Sequence, residues 1–233
     1  MDTFNNPIYC AIDTTSTERA IELANAVKGS VGGLKIGLET FYSLGHQGYA
    51  DIAAVGLPIF LDLKLHDIPN TVAGGIRALL PLAPAIINIH AQGGTEMMKA
   101  AAEAAKDAGP NRPKIIGVTV LTSLDDDDLT QMSVTRNAHD QAVHLAQMAA
   151  KSGLDGVVCS PHEITAIKSA CGPEFLTIVP GIRPGQVDDD QKRVMTPKDA
   201  ATAGADILVI GRPITASNAP SKAASDIARS LAA

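Results

Sequence analysis

Phe60-Leu61-Asp62-Leu63-Lys64-Leu65-His66-Asp67-Ile68-Pro69-Asn70-Thr71 is the densest run of charged chemistry in the chain, and its periodicity also bears on the fold. The segment Ile59–Leu63 reads as a β-strand. Side chains alternate along a strand, so Asp62 and Lys64 share one face while Leu61, Leu63 and Leu65 take the other. Charges on a buried strand face are costly to desolvate unless paired. A closed barrel reconciles the two faces: the leucines pack outward against helices, and the charges point into the lumen. Asp67 lies past the strand, in a loop halted by Pro69, and is free to reach elsewhere, including a neighbouring subunit.

Outward from this strand, apolar β-rich runs alternate with helical stretches along the whole chain. The strand candidates are Ile8–Ile12, Leu34–Gly37, Ile59–Leu63, Ile86–His90, Ile115–Leu121, Gly156–Cys159, Leu176–Val179 and Ile207–Ile210. Helical periodicity marks Thr17–Val27, Thr95–Ala108, Asp140–Ser152 and Pro197–Ala203. Strict alternation implies parallel strands joined by crossover helices. Eight such units predict a (β/α)8 TIM barrel; periodicity alone leaves an open doubly wound sheet as the alternative. Ser16 predicts a helix start with half of a capping box, since Arg19 stands where Glu would complete it. Gly109, Gly153 and Gly204 suit helix ends. No linker or low-complexity tract divides the sequence, so residues 1–233 are expected to form a single domain.

Composition narrows the class. Hydrophobic residues make up 45% and charged residues 19%, a globular balance rather than that of a disordered chain or a coiled coil. A net charge of −6 argues against a nucleic-acid-binding module. One local arginine can still hold one phosphate whatever the overall charge. Cys10, Cys159 and Cys171 show no metal-ligand spacing and read as reduced thiols. Met1 to Tyr9 has neither a basic nor an apolar leader pattern, and no apolar run nears the ~18 residues of a membrane span. A cytoplasmic location is the expectation.

Barrel ligands bind at the C-terminal ends of the strands. Those ends carry Asp13, Lys35, Asp62, Lys64, His90, Thr122-Ser123, Cys159-Ser160, Pro180-Gly181-Ile182-Arg183 and Gly211-Arg212-Pro213. An ion pair between Asp62 and Lys64 could serve stability alone. Lys35 and Asp67 extend it to an alternating set that pairing does not require, and charges held in a concave site are more often functional.

Asp62-x-Lys64-x-x-Asp67-Ile68-Pro69-Asn70-Thr71 resembles the signature of orotidine 5′-phosphate decarboxylases. Val118-Thr119-Val120-Leu121-Thr122-Ser123, Pro180-Gly181-Ile182-Arg183-Pro184 and Ile210-Gly211-Arg212-Pro213-Ile214-Thr215 resemble the bacterial branch of that family in the same order. The likeness runs from Asp13 to the final helix. A bare Asp-x-Lys-x-x-Asp is shared with related barrels of other activities; the three further blocks make the resemblance specific.

The resemblance implies a carboxy-lyase that converts orotidine 5′-monophosphate to uridine 5′-monophosphate and carbon dioxide, the last step of de novo pyrimidine (UMP) biosynthesis. It implies no cofactor and no metal. It sets Lys64 beside C6 of the pyrimidine as cationic partner and proton donor, Asp62 near the departing carboxylate, and Lys35 on the ribose side. Asp67, Ile68 and Thr71 would come from the neighbouring subunit of a homodimer. Asp13 would accept from a ribose hydroxyl, although its position also suits a helix N-cap. Thr122, with Ser123 as second candidate, would bond the pyrimidine amide edge; capping of the following acidic segment is the rival for either. Arg183, Gly211, Arg212 and a glutamine would hold the phosphate, the glutamine being Gln191 or, because loop lengths vary there, Gln186; Pro180 would also contact the substrate.

Asp125 to Asp128 reads as a solvated helix start rather than a metal site, and Asp188 to Asp190 likewise. His90 is placed either on the barrel wall or in core packing, and His66 projects from the motif itself. Nothing supports a Ser-His-Asp hydrolase or a dinucleotide fold. Two rivals remain: a keto-gulonate or hexulose phosphate lyase using magnesium, and a catalytically idle nucleotide-binding barrel.

Overall fold

Short apolar strands, each too narrow to bury both faces alone, are covered on the outside by the helices that follow them. The computed structural model describes residues 6–184 and 194–232. In chain order the elements are β1 (Ile8–Ile12), α1 (Thr17–Val27), β2 (Gly33–Gly37), α2 (Leu38–Ala53), β3 (Ile59–Leu65), α3 (Pro69–Leu79), β4 (Ile86–His90), α4 (Thr95–Ala105) and β5 (Lys114–Val118). There follow α5 (Asp126–Gln131), α6 (Ala138–Lys151), β6 (Gly156–Val158), α7 (Ile164–Cys171), β7 (Leu176–Val179), α8 (Pro197–Thr202), β8 (Ile207–Ile210), α9 (Arg212–Thr215) and α10 (Pro220–Ala232). Every strand pairs in parallel with its sequence neighbours, and β8 pairs with β1, closing the ring. This is the expected (β/α)8 barrel, and closure removes the open-sheet alternative.

Two apolar clusters follow from strand alternation. Tyr9, Ala11, Phe60, Ile86, Ile116, Ile178, Ile207 and Val209 fill the lumen. Leu61 and Leu63 belong instead to the larger cluster between strands and helices, with Leu65 packed against it. Fully burying each large aliphatic side chain contributes about 1.5–3 kcal/mol. The lumen plug therefore carries much of the barrel's stability and gives the mouth a solid apolar base. Cys10 and Cys159 are buried in the outer cluster, and burial pushes the Cys10 thiol up to about 12, with Asp13 adding to the rise and Lys35 opposing it.

Several boundaries differ from the sequence reading. β5 was expected over Ile115–Leu121 but ends at Val118. The Thr119 amide and hydroxyl both donate to the Val158 carbonyl, after which the chain bends out of the sheet. Thr122 thus lies in a turn beyond β5 rather than at its end. α4 stops at Ala105 and tightens into a 3-10 segment, Lys106–Asn111, containing Gly109 at φ 60° and Pro110. α6 begins at Ala138, two residues early, because the Asn137 side chain caps it by accepting from the Asp140 amide. Pro69 opens α3 instead of halting a loop. The Ser16 half-cap forms as read, its hydroxyl accepting from the Arg19 amide.

Candidate active site

The mouth of the barrel is set by a distortion in β3. Phe60 pairs with Ile86 and Leu61 with Ile87, but the next pairing is Leu65 with Ile89. Asp62, Leu63 and Lys64 therefore bulge away from regular pairing with β4, while Asp62 still pairs with Gly37 on β2, and Lys64 has a φ of 52°. A non-glycine residue in the left-handed region costs about 1–2 kcal/mol and signals a backbone over-determined by its surroundings.

The charges alternate across three strands. Lys64 Nζ lies 2.6 Å from Asp62 Oδ1, Lys35 Nζ 3.4 Å from Asp62 Oδ2, and the same ammonium 3.4 Å from Asp13 Oδ1. Burial pushes the Asp62 carboxyl up, but Lys35, Lys64 and Asn88 outweigh it and hold the group below the usual carboxylate range. A Cβ at Gly37 would fall 2.8 Å from Lys35 Nζ, so a larger residue there would shift the ammonium. Beside this array lies a cavity of about 260 Å³ lined by Lys35, Asp62, Lys64, Thr122, Ser123 and Pro180 among polar and turn residues, with Phe60, Val118, Val120, Leu121, Val158 and Val209 as its apolar wall. An apolar wall with a few converging charges is the usual build of a small-molecule site.

Of the residues singled out in the sequence, Asp13, Lys35, Asp62 and Lys64 come together, and Thr122, Ser123 and Pro180 line the same cavity. Both Thr122 and Ser123 remain candidates for the ring edge. Asp67, Ile68 and Thr71 are exposed at the start of α3. Asp67 does not join the array within this chain; its carboxylate accepts from the Ile68 amide, and Ile68 is 67% exposed. Arg212 is exposed at the start of α9, just after Gly211, with Pro213 in the first turn as anticipated. Arg183 is buried and donates to the Ile182 carbonyl. Gln186, Gln191 and Asp188 to Asp190 lie outside the described residues. Asp125 to Asp128 makes a reciprocal capping box at the start of α5, the helix-start role read from the sequence.

Sequence reasoning missed Asn88. It is fully buried on β4, accepts from the Lys64 amide at 2.8 Å and donates to Asp62 Oδ1 at 2.7 Å. The available signal was a lone amide in Ile86-Ile87-Asn88-Ile89-His90, at the position that alternation turns toward the lumen with Ile86. His90 is half-buried at the end of β4, its ring 5.3 Å from that of His66. Burial lowers its pKa, with His66 and Lys64 acting in the same direction and Asp62 against them.

Fold and mouth together define a class: a (β/α)8 barrel with a lysine–aspartate array over an apolar-walled pocket at the C-terminal ends of its strands. Within that class the chain belongs to the Orotidine 5'-phosphate decarboxylase / HUMPS family, which it matches over residues 6–227. The orotidine 5'-phosphate decarboxylase of Novosphingobium aromaticivorans is 52% identical over 228 residues, covering 97% of this chain and 100% of the relative. That of Rhodospirillum rubrum is 51% identical, covering 96% and 93%. The crystal structure of orotidine 5'-phosphate decarboxylase from Lactobacillus acidophilus superposes with a TM-score of 0.87 at 36% identity, covering 98% of this chain and all of that one. No helix among the described residues is long and apolar enough to cross a membrane.

Proposed function

We propose that this chain decarboxylates orotidine 5′-monophosphate to uridine 5′-monophosphate and carbon dioxide, the last step of pyrimidine nucleotide synthesis, with no cofactor. The observation that carries the reading is the alternating array Asp13–Lys35–Asp62–Lys64 beside an apolar-walled cavity, in a chain about half identical to proteins named for this activity.

Loss of carbon dioxide leaves an electron pair at C6 in an orbital that the ring π-system cannot delocalise. Stabilisation must then come from preorganised charge. Lys64 is the group for this, as cation next to C6 and as donor of the proton that quenches it. Asp62, kept ionised by its neighbours, would stand near the departing carboxylate. Two like charges about 4 Å apart repel by about 4 kcal/mol at an effective dielectric of 20, and that repulsion vanishes as neutral carbon dioxide leaves. Attraction to Lys64 is the dominant contribution in this reading, because it is required whether or not the repulsion contributes.

Lys35 and Asp13 would bind the ribose, Thr122 or Ser123 the pyrimidine amide edge, and Gly211, Arg212, Arg183 and Gln191 (or Gln186) the phosphate, with Pro180 also contacting the substrate. Asp67, Ile68 and Thr71 would complete the site of a partner subunit in a homodimer; their exposure supports this. The chain would act as one barrel domain spanning residues 1–233, in the cytoplasm.

The test is loss of orotidine 5′-monophosphate absorbance with purified protein in the presence of a chelator. Steady turnover is expected. A requirement for added magnesium would instead favour a sugar-phosphate lyase, and absence of turnover would end the decarboxylase reading.

A further inference from the structure

Asn88 stands opposite the bulge of β3. Between the pairings Leu61–Ile87 and Leu65–Ile89, three residues of β3 face this one residue of β4. The Lys64 amide donates to the Asn88 side chain, and Asn88 returns a hydrogen bond to the same Asp62 oxygen that receives the Lys64 ammonium. The amide's orientation is fixed by chemistry: the Lys64 N–H requires its oxygen, and the Asp62 carboxylate requires its nitrogen. One buried, rigid group thus touches both the backbone that aims the ammonium and the carboxylate that receives it.

We propose that Asn88 is a positioning residue for this reaction, acting through Lys64 and Asp62 by holding the lysine in its left-handed backbone conformation and fixing the carboxylate oxygen against which the ammonium is set. This rests on the decarboxylase reading above. An apolar residue at position 88 would leave the Lys64 N–H and one Asp62 lone pair without their partner in a buried place. An ionised carboxylate there would supply the acceptor but not the donor, and would repel Asp62. Protonated aspartic acid supplies both, since its carbonyl oxygen accepts and its hydroxyl donates.

That chemistry defines the test. Asn88→Ala is expected to lower kcat roughly 10²-fold, the scale of a small misplacement of catalytic groups. Its affinity for uridine 5′-monophosphate, measured by calorimetry, should stay within about threefold of wild type. Asn88→Asp is the conservative variant. Its kcat relative to wild type should be highest at acid pH and fall about tenfold per pH unit once the proton shared with Asp62 is lost. The groups facing position 88 are Asp62 and Lys64 on β3, Lys35 on β2 beyond Asp62, and His90 two residues along β4; β5 presents the apolar Ile116. Because all of them are present in both proteins, the ratio to wild type isolates the introduced acid.

An Asn88→Ala enzyme with kcat within about threefold of wild type overturns the proposal. So does one that loses product affinity in step with kcat, the signature of general damage. If Asn88→Ala fails to fold, the Asn88→Asp ratio decides alone, and a pH-independent ratio overturns the proposal. Turnover by wild type with either overturning result sinks this role only; no turnover by wild type sinks the decarboxylase reading and this role with it.

Discussion

The two ends of this barrel use the same kinds of charge in opposite ways. At the floor, Asp155 sits one residue before β6 and takes two hydrogen bonds from Arg112 at 2.8 Å each, one from the Ile115 amide at 2.9 Å and one from Lys114 at 3.3 Å. Asp206 repeats the device one residue before β8, accepting from Lys168, the Thr177 amide and the Thr177 hydroxyl. Lys168 spends its other donors on the Pro173 and Phe175 carbonyls. Each floor carboxylate therefore ties the amide of the preceding strand to the start of its own: both Asp155 oxygens accept two bonds, one Asp206 oxygen accepts three, and Lys168 has an acceptor for each proton. At the mouth, Lys35 stands 3.4 Å from both of its carboxylates, and the Lys64 ammonium has only Asp62 as acceptor among the described residues. The floor network is densely bonded and holds strands together. The mouth, on a strained backbone beside a cavity, leaves ammonium protons without acceptors among the described residues.

The sharpest way to break this contrast is Lys64→Ala. Removing the cation and the proton donor together should reduce turnover by about 10⁴-fold or more. Asp62 keeps Lys35 and Asn88, so stability should change by no more than about 1–2 kcal/mol. Single-turnover kinetics and thermal melts on one preparation check both halves. Near-normal activity, or a collapse in melting temperature like that of a floor variant, would show that the mouth is structural after all. Arg212→Ala comes next, with kcat/KM expected to fall roughly 10²–10³-fold through lost charge-assisted bonds to phosphate. Added phosphite should partly restore the rate on the truncated nucleoside for wild type, and much less for the variant. Kinetics equal to wild type would remove Arg212 from the phosphate site.

Most of the fold and half of the mouth were legible in the residues, for definable reasons. The strand over residues 59–63 could be read because leucine alternates there with charge, and Leu61 and Leu63 do face the helices. Asp13 stands just beyond β1, Lys35 within β2, and Asp62 and Lys64 in the second half of β3; they converge because alternation and closure fix their direction. Alternation could not reveal the bulge that turns Lys64 to positive φ, since it depends on Asn88 from another strand filling the gap. The end of β5 was misplaced because Val118-Thr119-Val120-Leu121 is uniformly β-favouring, and only the Thr119 bonds to Val158 show where the sheet lets go. Arg183 was read as a phosphate ligand from its motif; its burial, with a bond to the Ile182 carbonyl, is a feature that no local pattern foretold.

The floor makes the complementary prediction. Asp155→Ala removes the partner of the Ile115 amide and of the Arg112 fork, while Arg112 and Lys114 are about a third or more exposed and can turn to water. A loss of about 2–3 kcal/mol is expected, a drop in melting temperature of roughly 4–10 °C for a chain of this size. The kcat at 25 °C should stay within about twofold of wild type, because the side-chain bonds of Asp155 among the described residues go to Arg112, Lys114 and the Ile115 amide, all at the floor. A rate loss out of proportion to the melt would mean that floor and mouth are coupled through β5 and β6.

The smallest effect is one of slope. Burial pushes the Asp155 carboxyl up, but the Arg112 fork, the Ile115 amide and Lys114 outweigh it and hold the group below the usual carboxylate range. In the unfolded chain an aspartate titrates near about 3.9. Between the folded and unfolded values the unfolded state binds more protons, so the stabilisation is complete above about pH 4 and is lost as pH falls through the folded value. The melting-temperature gap between wild type and Asp155→Asn should therefore be constant from about pH 6 to 8 and narrow below about pH 4. Asp62 contributes in the same direction but is present in both proteins, so the difference reads Asp155 alone. A gap that widened on acidification would mean that the folded carboxyl binds its proton more readily than the unfolded one, so that burial and not the Arg112 fork governs Asp155.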